Sequence, residues 1–325
     1  MSEIVRLDSA GMSSFRLGEQ ELARYVTERD APALESPRPY LHPISTLDGT
    51  VVSGYRPDDH DWHWGLSMAI ANIDVPGEDL PVNLWGGVTY TDRGYVQLDN
   101  NGDQVHEGWD EAGAGDADAD AGAQAGAQAG AREGGERLTW RTVSGRDFLR
   151  ETRTLGAHRV ELPGTSGRSA WRLDVTSEWT NLTDGTVRFG SPTTAGRDNA
   201  GYGGWFLRAA PEFSTATVLS PDGPVNVDAA MGQRFSWLAL ATDTATVALA
   251  ANPHNPVAES PFFVRTETPM LCAAPFFFEK WPLEAGATVV WRWSLLVSDG
   301  RLESAAIAGV FDAARAADAT DGTRH

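Results

Sequence analysis

Long apolar runs, paired cysteines and positive charge are all scarce in this chain, and each absence excludes a class of protein. The strongest apolar run, 271-LCAAPFFF-278, contains Pro275 and is far shorter than the roughly eighteen apolar residues expected of a membrane-spanning helix. Cys272 is the only cysteine, so no internal disulfide can form, which suits a reducing cytoplasm. The N-terminal residues lack the basic start and apolar run of a signal peptide. The sequence therefore predicts a soluble cytoplasmic protein with no membrane partner.

Positive charge is outnumbered by negative charge. The chain has 26 Lys and Arg residues against 45 Asp and Glu residues, and its formal net charge is −19. Nucleic acids and anionic membranes bind to clusters of Lys and Arg, so neither is an expected partner. The glycine-rich run 196-GRDNAGYGGWFLRAAP-211 fits neither the phosphate-loop nor the dinucleotide-binding pattern. We therefore predict a small neutral or weakly charged ligand and no cofactor.

Short runs with alternating apolar and polar residues dominate the sequence. In 171-WRLDVTSEWT-180, every second residue from Trp171 to Trp179 falls on one face, and 289-VVWRWSLLV-297 repeats the pattern. Half-buried strands of antiparallel sheets produce this alternation, and clusters such as 183-TDGT-186 supply the turns between them. The predicted fold class is all-β, a large antiparallel β-supersandwich.

Helical patterns are few. The segment 302-LESAAIAGVFDAARAA-317 predicts a short C-terminal helix, whereas 19-EQELARYVTE-28 is compatible with a helix or a strand. Residues 109–137 are almost entirely Ala, Gly, Asp, Glu and Gln, with too few apolar side chains for a core. We therefore predict a single domain over residues 1–325 that carries a disordered acidic Ala/Gly-rich insertion at 109–137.

The segment 56-RPDDHDWHWGL-66 concentrates carboxylates, imidazoles and indoles at one place. In an extended strand His60 and His63 would face opposite sides, so they can meet one ligand only if the backbone turns. Pro57 and Gly65 bracket the segment and favour such a turn.

Three interpretations of this segment remain open. It could be structural, with aromatic side chains covering a sheet edge. It could bind a metal through His60 and His63 with His42 or Asp59, but a His-x-x-His pair alone does not define a site, and no metal ligand is assigned. It could form a sugar site, in which an indole such as Trp64 stacks on the ring and a histidine acts as general acid or base.

Two later stretches could complete a site. The glycine-rich run at 196–211 allows close backbone approach to a ligand, and it contains three candidate binding residues: Arg197, Tyr202 and Arg208. The run 276-FFFEKWPLEAG-286 places Glu279 among aromatic residues, where desolvation would make its carboxylate a stronger base.

The run 37-PRPYLHPISTLDGTVVSGYRPDDHDWHWGL-66, followed by 82-VNLWGG-87, resembles the soluble bacterial proteins of the PmoA family. The stretches 201–211 and 252–265 resemble that family too, while Trp64 stands where many members have His or Arg. The family label implies a methane oxygenase subunit, an integral membrane protein that a chain without a membrane span does not match. The resemblance implies instead a β-rich domain found near sugar-oxidoreductase genes, with these motif positions: His42, Asp59, His60, His63, Gly65, Asn83 and Trp85.

A fainter similarity is to galactose-mutarotase-like proteins. It is carried by 63-HWG-65, 179-WTNLTDG-185 and 283-LEAG-286, and it implies a β-supersandwich with a sugar in its concave face. The histidine that follows the W-T-N strand in many mutarotases is absent from 188-RFGS-191, so their epimerase mechanism does not transfer directly.

The leading hypothesis is a carbohydrate-processing enzyme that performs epimerase-, lyase- or hydrolase-type acid/base chemistry on a neutral or oxidised sugar. His60 and His63 would be the acid/base pair and Glu279 an opposing carboxylate. The predicted binding residues are His42, Asp59, Trp64, Asn83, Arg197, Tyr202 and Arg208. The alternatives are a non-catalytic carbohydrate-binding protein and a metal-dependent enzyme that uses the His-x-x-His segment.

Overall fold

The computed structural model describes residues 3–110, 135–165 and 167–321. Its strands up to the middle of the chain are β1 (Ile4–Ser9), β2 (Met12–Leu17), β3 (Gln20–Val26), β4 (Tyr40–Ile44), β5 (Leu66–Ile70), β6 (Asn72–Asp74), β7 (Thr89–Thr91), β8 (Gly94–Val96), β9 (Asp103–Trp109), β10 (Glu136–Arg141), β11 (Asp147–Glu161) and β12 (Ser169–Asn181). The later strands are β13 (Val187–Gly190), β14 (Gly203–Arg208), β15 (Thr217–Ser220), β16 (Gly223–Val225), β17 (Trp237–Ala241), β18 (Ala245–Ala251), β19 (Phe262–Arg265), β20 (Met270–Ala273), β21 (Trp281–Leu283) and β22 (Thr288–Asp299). The helices are α1 (Val227–Ala230) and α2 (Ser304–Asp321), with 3-10 turns at Ala33–Glu35 and Pro211–Thr215.

Two large antiparallel sheets contain most of these strands. The first sheet has eight strands in the order β1-β2-β3-β4-β5-β14-β20-β19, and the second has nine in the order β16-β15-β17-β18-β22-β12-β11-β10-β9. A smaller sheet, β21-β13-β6, and the hairpin β7-β8 accompany them. The predicted all-β class with large antiparallel sheets and a C-terminal helix is confirmed.

The core lies between the two large sheets and follows the predicted alternation. On β12, Trp171, Leu173, Val175 and Trp179 are all buried. Antiparallel pairing places Val175 opposite Trp293 of β22, so the two alternating faces coincide. Burial of apolar surface on this scale, at about 25 cal/mol per Å², supplies the main driving force for the fold.

Helix α2 covers the opposite face of the second sheet. Its side chains Ile307, Val310 and Phe311 are buried in a separate apolar cluster with Trp237 of β17 and Leu296 of β22. The segment at 19–28, which the sequence left between helix and strand, forms β3. Among the residues that the structure describes, no helix has the length and apolar character needed to cross a membrane.

A buried polar network joins the two sheets. Arg153 of β11 donates hydrogen bonds to both carboxylate oxygens of Glu151, each at 2.8 Å, and to the hydroxyl of Tyr25 on β3 at 2.9 Å. Arg153, Glu151 and Tyr25 are all inaccessible to solvent. Because a buried charge is costly unless it is paired, this network specifies how the sheets face each other.

The ends of the predicted acidic insertion belong to the second sheet, so the predicted limits of 109 and 137 were too wide. Trp109 ends β9 and pairs with Glu136, the first residue of β10. The Glu136 side chain is buried, where its carboxylate accepts a hydrogen bond from Tyr25 and lies 2.8 Å from His106 Nδ1. A carboxylate with such partners can be ordered without apolar neighbours, which composition alone does not reveal. The rest of the predicted insertion, 111–134, lies outside the described residues.

We expect Glu151→Gln to lower the free energy of unfolding by about 3 kcal/mol, because it removes the carboxylate that forms the ion pair with the buried Arg153 guanidinium. The matched control is Glu178→Gln, which changes an exposed carboxylate of β12 and should alter stability by no more than about 0.5 kcal/mol. Urea denaturation measures both. Equal effects of the two substitutions would contradict a structural role for the buried pair.

Candidate functional site

The candidate site lies on the face of the first sheet that points away from the sandwich core. Along β14, Trp205 and Leu207 belong to the main core, whereas Phe206 packs in a second apolar cluster on the other face. Met270 of β20 and Phe263 of β19 extend that second cluster. The segments 56–65 and 83–95 contribute to a cavity of about 300 Å³ on this face. Its lining includes His60, Trp62, His63, Trp85, Tyr95, Arg197, Tyr202, Phe263, Arg265 and Met270.

A tight turn brings the two imidazoles to the same side. The Arg56 amide donates to the His63 carbonyl at 2.9 Å, and inside that pair the His60 amide donates to the Pro57 carbonyl at 2.9 Å. The rings of His60 and His63 stack with centroids 4.4 Å apart and planes 16° apart. The backbone therefore turns, which is what the sequence required if His60 and His63 were to face one ligand.

Gly65 attaches this turn to the first sheet. Its amide donates to the Gly54 carbonyl at 3.0 Å, and its carbonyl accepts from the Arg208 amide on β14 at 2.8 Å. The φ angle of Gly65 is +46°, and a Cβ there would lie 2.0 Å from the Leu41 carbonyl oxygen. Only glycine fits this position, because any side chain would collide with the backbone of β4.

The two imidazoles have different partners. His60 Nδ1 lies 2.8 Å from an Asp59 carboxylate oxygen, whereas His63 Nδ1 lies 3.3 Å from an Arg208 guanidinium nitrogen. A carboxylate only accepts and a guanidinium only donates, so His60 carries its proton on Nδ1 and His63 carries its proton on Nε2. The stacked rings therefore have opposite tautomers, and the free ring nitrogen is an acceptor on His60 and a donor on His63.

Burial keeps His63 neutral. Its side chain is almost inaccessible, and burial lowers the pKa of the imidazole well below its ordinary value, with the charges of His60 and Arg208 acting in the same direction. Burial acts to raise the pKa of Asp59, but the hydrogen bond from His60 and the charge of Arg208 outweigh it, and the pKa is lowered. The site therefore contains a neutral buried imidazole, His63, near an ionised carboxylate, Asp59.

Glu35, a residue that the sequence did not single out, supports the turn from below. Its buried carboxylate accepts two hydrogen bonds from Arg56, at 2.6 and 2.9 Å, and one from the Trp64 indole nitrogen at 3.0 Å. Arg38, also buried, donates to the Trp62 carbonyl at 2.7 Å. Burial lowers the pKa of Arg38 to about 9, and the charge of Glu35 opposes that change.

Aromatic side chains form one wall of the cavity. The Trp85 ring lies 4.4 Å from the ring of Tyr202 and 5.5 Å from that of His63, measured between centroids. Asn83 shapes the turn that presents Trp85, because its side-chain oxygen accepts hydrogen bonds from the amides of Trp85 and Gly86 at 2.8 and 3.0 Å. Gly86 leaves room for Trp62, because a Cβ atom added at position 86 would lie only 2.4 Å from the Trp62 Cβ.

The predicted site residues separate into two groups. His60, His63, Arg197 and Tyr202 line the cavity, and Asp59 and Arg208 bind the imidazoles at its edge. The other four lie outside the lining: His42, Trp64, Asn83 and Glu279.

Each of those four placements has a physical reason. His42 Nδ1 lies 2.8 Å from the Ser53 hydroxyl, and its ring stacks on Tyr55. These contacts give His42 a structural role beside the first sheet. Trp64 is fully buried over the Glu35 carboxylate and offers no face to a ligand. Asn83 is fully buried, and its side chain forms its hydrogen bonds within its own turn.

Glu279 is the clearest correction. Its side chain is exposed on the bend that follows β20, and it does not line the cavity, so it cannot oppose the imidazoles there. The aromatic residues beside it in sequence, Phe276 and Phe277, point into the protein while Phe278 and Glu279 point outward. Sequence neighbours in a bend do not share an environment, which is why this prediction was wrong.

Several lining residues were missed. Phe263 and Arg265 lie on one face of β19 and could have been found from alternation in 262-FFVR-265, since Phe262 and Val264 enter the main core. Tyr95, on the hairpin β7-β8, gave no signal, because nothing in its neighbourhood indicates that the hairpin reaches Arg197.

The metal hypothesis gains no third ligand. Within residues 3–110, 135–165 and 167–321, no group of three or more His, Cys, Asp or Glu side chains could hold a metal ion. Cys272 lies beneath the second apolar cluster, and burial raises the pKa of its thiol to about 12, which disfavours nucleophilic chemistry.

The chain is an all-β sandwich protein. On the outer face of one sheet it has a candidate site, a small cavity lined by histidine, arginine and aromatic residues. Comparison with protein families gives the relationship: residues 13–312 match the Family of unknown function (DUF6807), and the chain belongs to it. No curated protein matches the chain.

We expect acid to destabilise this protein through His63. Below the ordinary histidine pKa of 6.5, the unfolded chain takes up a proton that the buried His63 resists, so stability falls as the pH drops from about 6.5 towards the depressed folded pKa. The lowered pKa of Asp59 reduces stability only below pH 3.8, the ordinary pKa of an aspartate. Urea midpoints at about pH 7.5 and pH 5 should therefore differ less in His63→Asn than in the wild type.

His42, whose pKa burial also lowers, should leave part of this pH dependence in the variant. The control is His254→Asn at an exposed turn, which should keep the full wild-type dependence. If His63→Asn kept it too, the imidazole would not be held neutral by burial.

Proposed function

We propose that this site binds a small sugar-type molecule and performs acid/base chemistry on it, with His60 as the base. The observation that carries the proposal is the stacked pair of imidazoles with opposite tautomers on one cavity. Such a pair presents one proton acceptor and one hydrogen-bond donor to the same ligand. Reactions that move a proton at a sugar carbon or at a ring oxygen need both groups.

His60 is suited to accept the proton. Asp59 holds its Nδ1 at 2.8 Å and stabilises the imidazolium that forms when Nε2 is protonated. The His60 side chain retains about a third of its exposure, so a ligand can reach it and the proton can later leave to solvent. This is the familiar arrangement of a carboxylate that orients and supports a histidine base.

His63 is suited to donate a hydrogen bond rather than to exchange a proton. Its low pKa makes the imidazolium unfavourable, and Arg208 fixes the tautomer with the proton on Nε2. A neutral imidazole that donates to a carbonyl or hydroxyl oxygen stabilises developing negative charge there without losing its proton. In this proposal His63 is a hydrogen-bond donor rather than the acid or base that the sequence predicted.

The aromatic wall supports a sugar-type ligand. Trp85 and Trp62 present flat apolar surfaces beside the imidazoles, and sugar rings have apolar faces that pack on indoles. A cavity of about 300 Å³ is at the small end of ligand sites, which favours a monosaccharide over an oligosaccharide. The resemblance of the same segments to the PmoA family, and the fainter similarity to galactose-mutarotase-like proteins, also favours a sugar.

A non-catalytic sugar-binding protein is the second candidate, because the aromatic wall would serve binding equally well. The two differ in which side chains matter. Binding without chemistry would depend on Trp85 and Tyr202 and would survive loss of the imidazole of His60. Catalysis would depend on His60 and Asp59 even where binding persists.

The test follows monosaccharides and sugar lactones by proton NMR in D₂O in the presence of the protein. We expect interconversion, or exchange of a carbon-bound proton, with the wild type. His60→Gln should reduce that rate by about 10²- to 10⁴-fold, the usual contribution of a general base. Asp59→Asn should reduce it in the same direction, since the imidazole loses its orienting partner.

The control for these variants is His254→Gln, which changes an exposed imidazole outside the cavity lining and should keep the wild-type rate. An unchanged rate in His60→Gln would refute the assignment of the base. Binding without any exchange in the wild type would favour the non-catalytic candidate, and neither binding nor exchange would remove both.

A further inference from the structure

The charge of the cavity is opposite to that of the chain. The protein carries a formal net charge of −19, yet the cavity lining includes two arginines, Arg197 and Arg265, and no Asp or Glu. Guanidinium groups also donate hydrogen bonds to the hydroxyls of neutral sugars, but only a negatively charged ligand gains from the charge of both arginines. A local reversal of charge inside a ligand site indicates that the ligand itself is negative.

Both guanidinium groups are available to a ligand. No carboxylate of the described residues lies within ion-pair distance of Arg197 or Arg265. Arg208 differs from them, because it lies 3.5 Å from Asp59 and beside His63. Arg208 is therefore engaged by the histidine turn, whereas Arg197 and Arg265 have no carboxylate partner among the described residues.

Aromatic rings hold these two side chains in place. The Arg197 guanidinium carbon lies 4.8 Å from the Tyr95 ring centroid, and an Arg197 N–H donates a hydrogen bond to the Tyr95 hydroxyl. The Arg265 guanidinium carbon lies 5.3 Å from the Phe263 ring centroid. A guanidinium stacked on a ring keeps N–H groups at its edge, where a planar carboxylate can accept two parallel hydrogen bonds.

The two arginines act on the same part of the cavity. Both lie close enough to the hydroxyl of Tyr202 to oppose the rise in its pKa that burial and the neighbouring Tyr95 produce. Tyr202 in turn packs against Trp85 and lies 5.4 Å from Phe263, measured between ring centroids. Arg197 and Arg265 are thus next to the aromatic wall.

We infer that the ligand is a sugar acid, a monosaccharide whose carboxylate is bound by Arg197 and Arg265 while its ring packs on the aromatic wall beside His60. This inference rests on the proposed function and specifies its substrate class. A guanidinium pair binds carboxylate and phosphate by the same chemistry, so a sugar phosphate is the competing source of negative charge. A sugar acid is favoured because a planar carboxylate accepts two parallel hydrogen bonds from a planar guanidinium.

The experiment measures dissociation constants by calorimetry at low ionic strength for three matched probes: D-glucuronate, D-glucose and D-glucose 6-phosphate. D-Galacturonate with D-galactose, and D-mannuronate with D-mannose, extend the comparison to other stereochemistry. We expect at least one sugar acid to bind about tenfold or more tightly than its neutral parent, and more tightly than the phosphate. Arg197→Gln/Arg265→Gln should reduce its affinity to that of the neutral sugar.

The control is Arg150→Gln, which removes an exposed arginine from β11 and should leave every affinity unchanged. Urea midpoints of the double variant verify that it is folded. Equal binding of acid and neutral sugar, or a preference that survives in the double variant, would overturn the sugar-acid assignment while the proposed function stands. Tighter binding of the phosphate would overturn it in favour of a sugar phosphate. Failure of every sugar to bind would overturn the proposed function as well.

Discussion

The buried carboxylate of Glu35 is the interaction on which the candidate site depends. It gathers Arg56 and Trp64, the residues on either side of the histidine turn, and so closes the turn from beneath. A carboxylate removed from water must be matched by donors, and here it receives three hydrogen bonds from two side chains. The Glu35 carboxylate therefore fixes the positions of His60 and His63, although it contacts neither of them.

The same site shows how burial assigns different chemistry to identical side chains. His60 and His63 are three residues apart and stacked, yet His60 is about a third exposed beside a carboxylate and His63 is enclosed beside a guanidinium. Solvent access and partner polarity, rather than residue type, divide them into an acceptor and a donor. Histidine is effective in such pairs because its two ring nitrogens can be assigned separately.

The strands and their buried faces could be predicted from the sequence because alternation is a local property. The buried face from Trp171 to Trp179 and the C-terminal helix could each be predicted from their own residues, without knowing which elements lie beside them. Sheet order is not local: β14 lies between β5 and β20, and it is this arrangement that places Arg208 beside His63. For the same reason Glu35 and Tyr95 could not be found, and Glu279 was placed in a site that its bend turns it away from.

Strand β14 has two structural roles at once. Its residues alternate between the core of the sandwich, through Trp205 and Leu207, and the outer face of the sheet, where Phe206 and Arg208 contact His63. One rigid backbone of six residues therefore transmits any change in core packing to the ligand side. Divergence in this family should be slowest along that strand on both faces, because a mutation cannot relax the core there without moving the site.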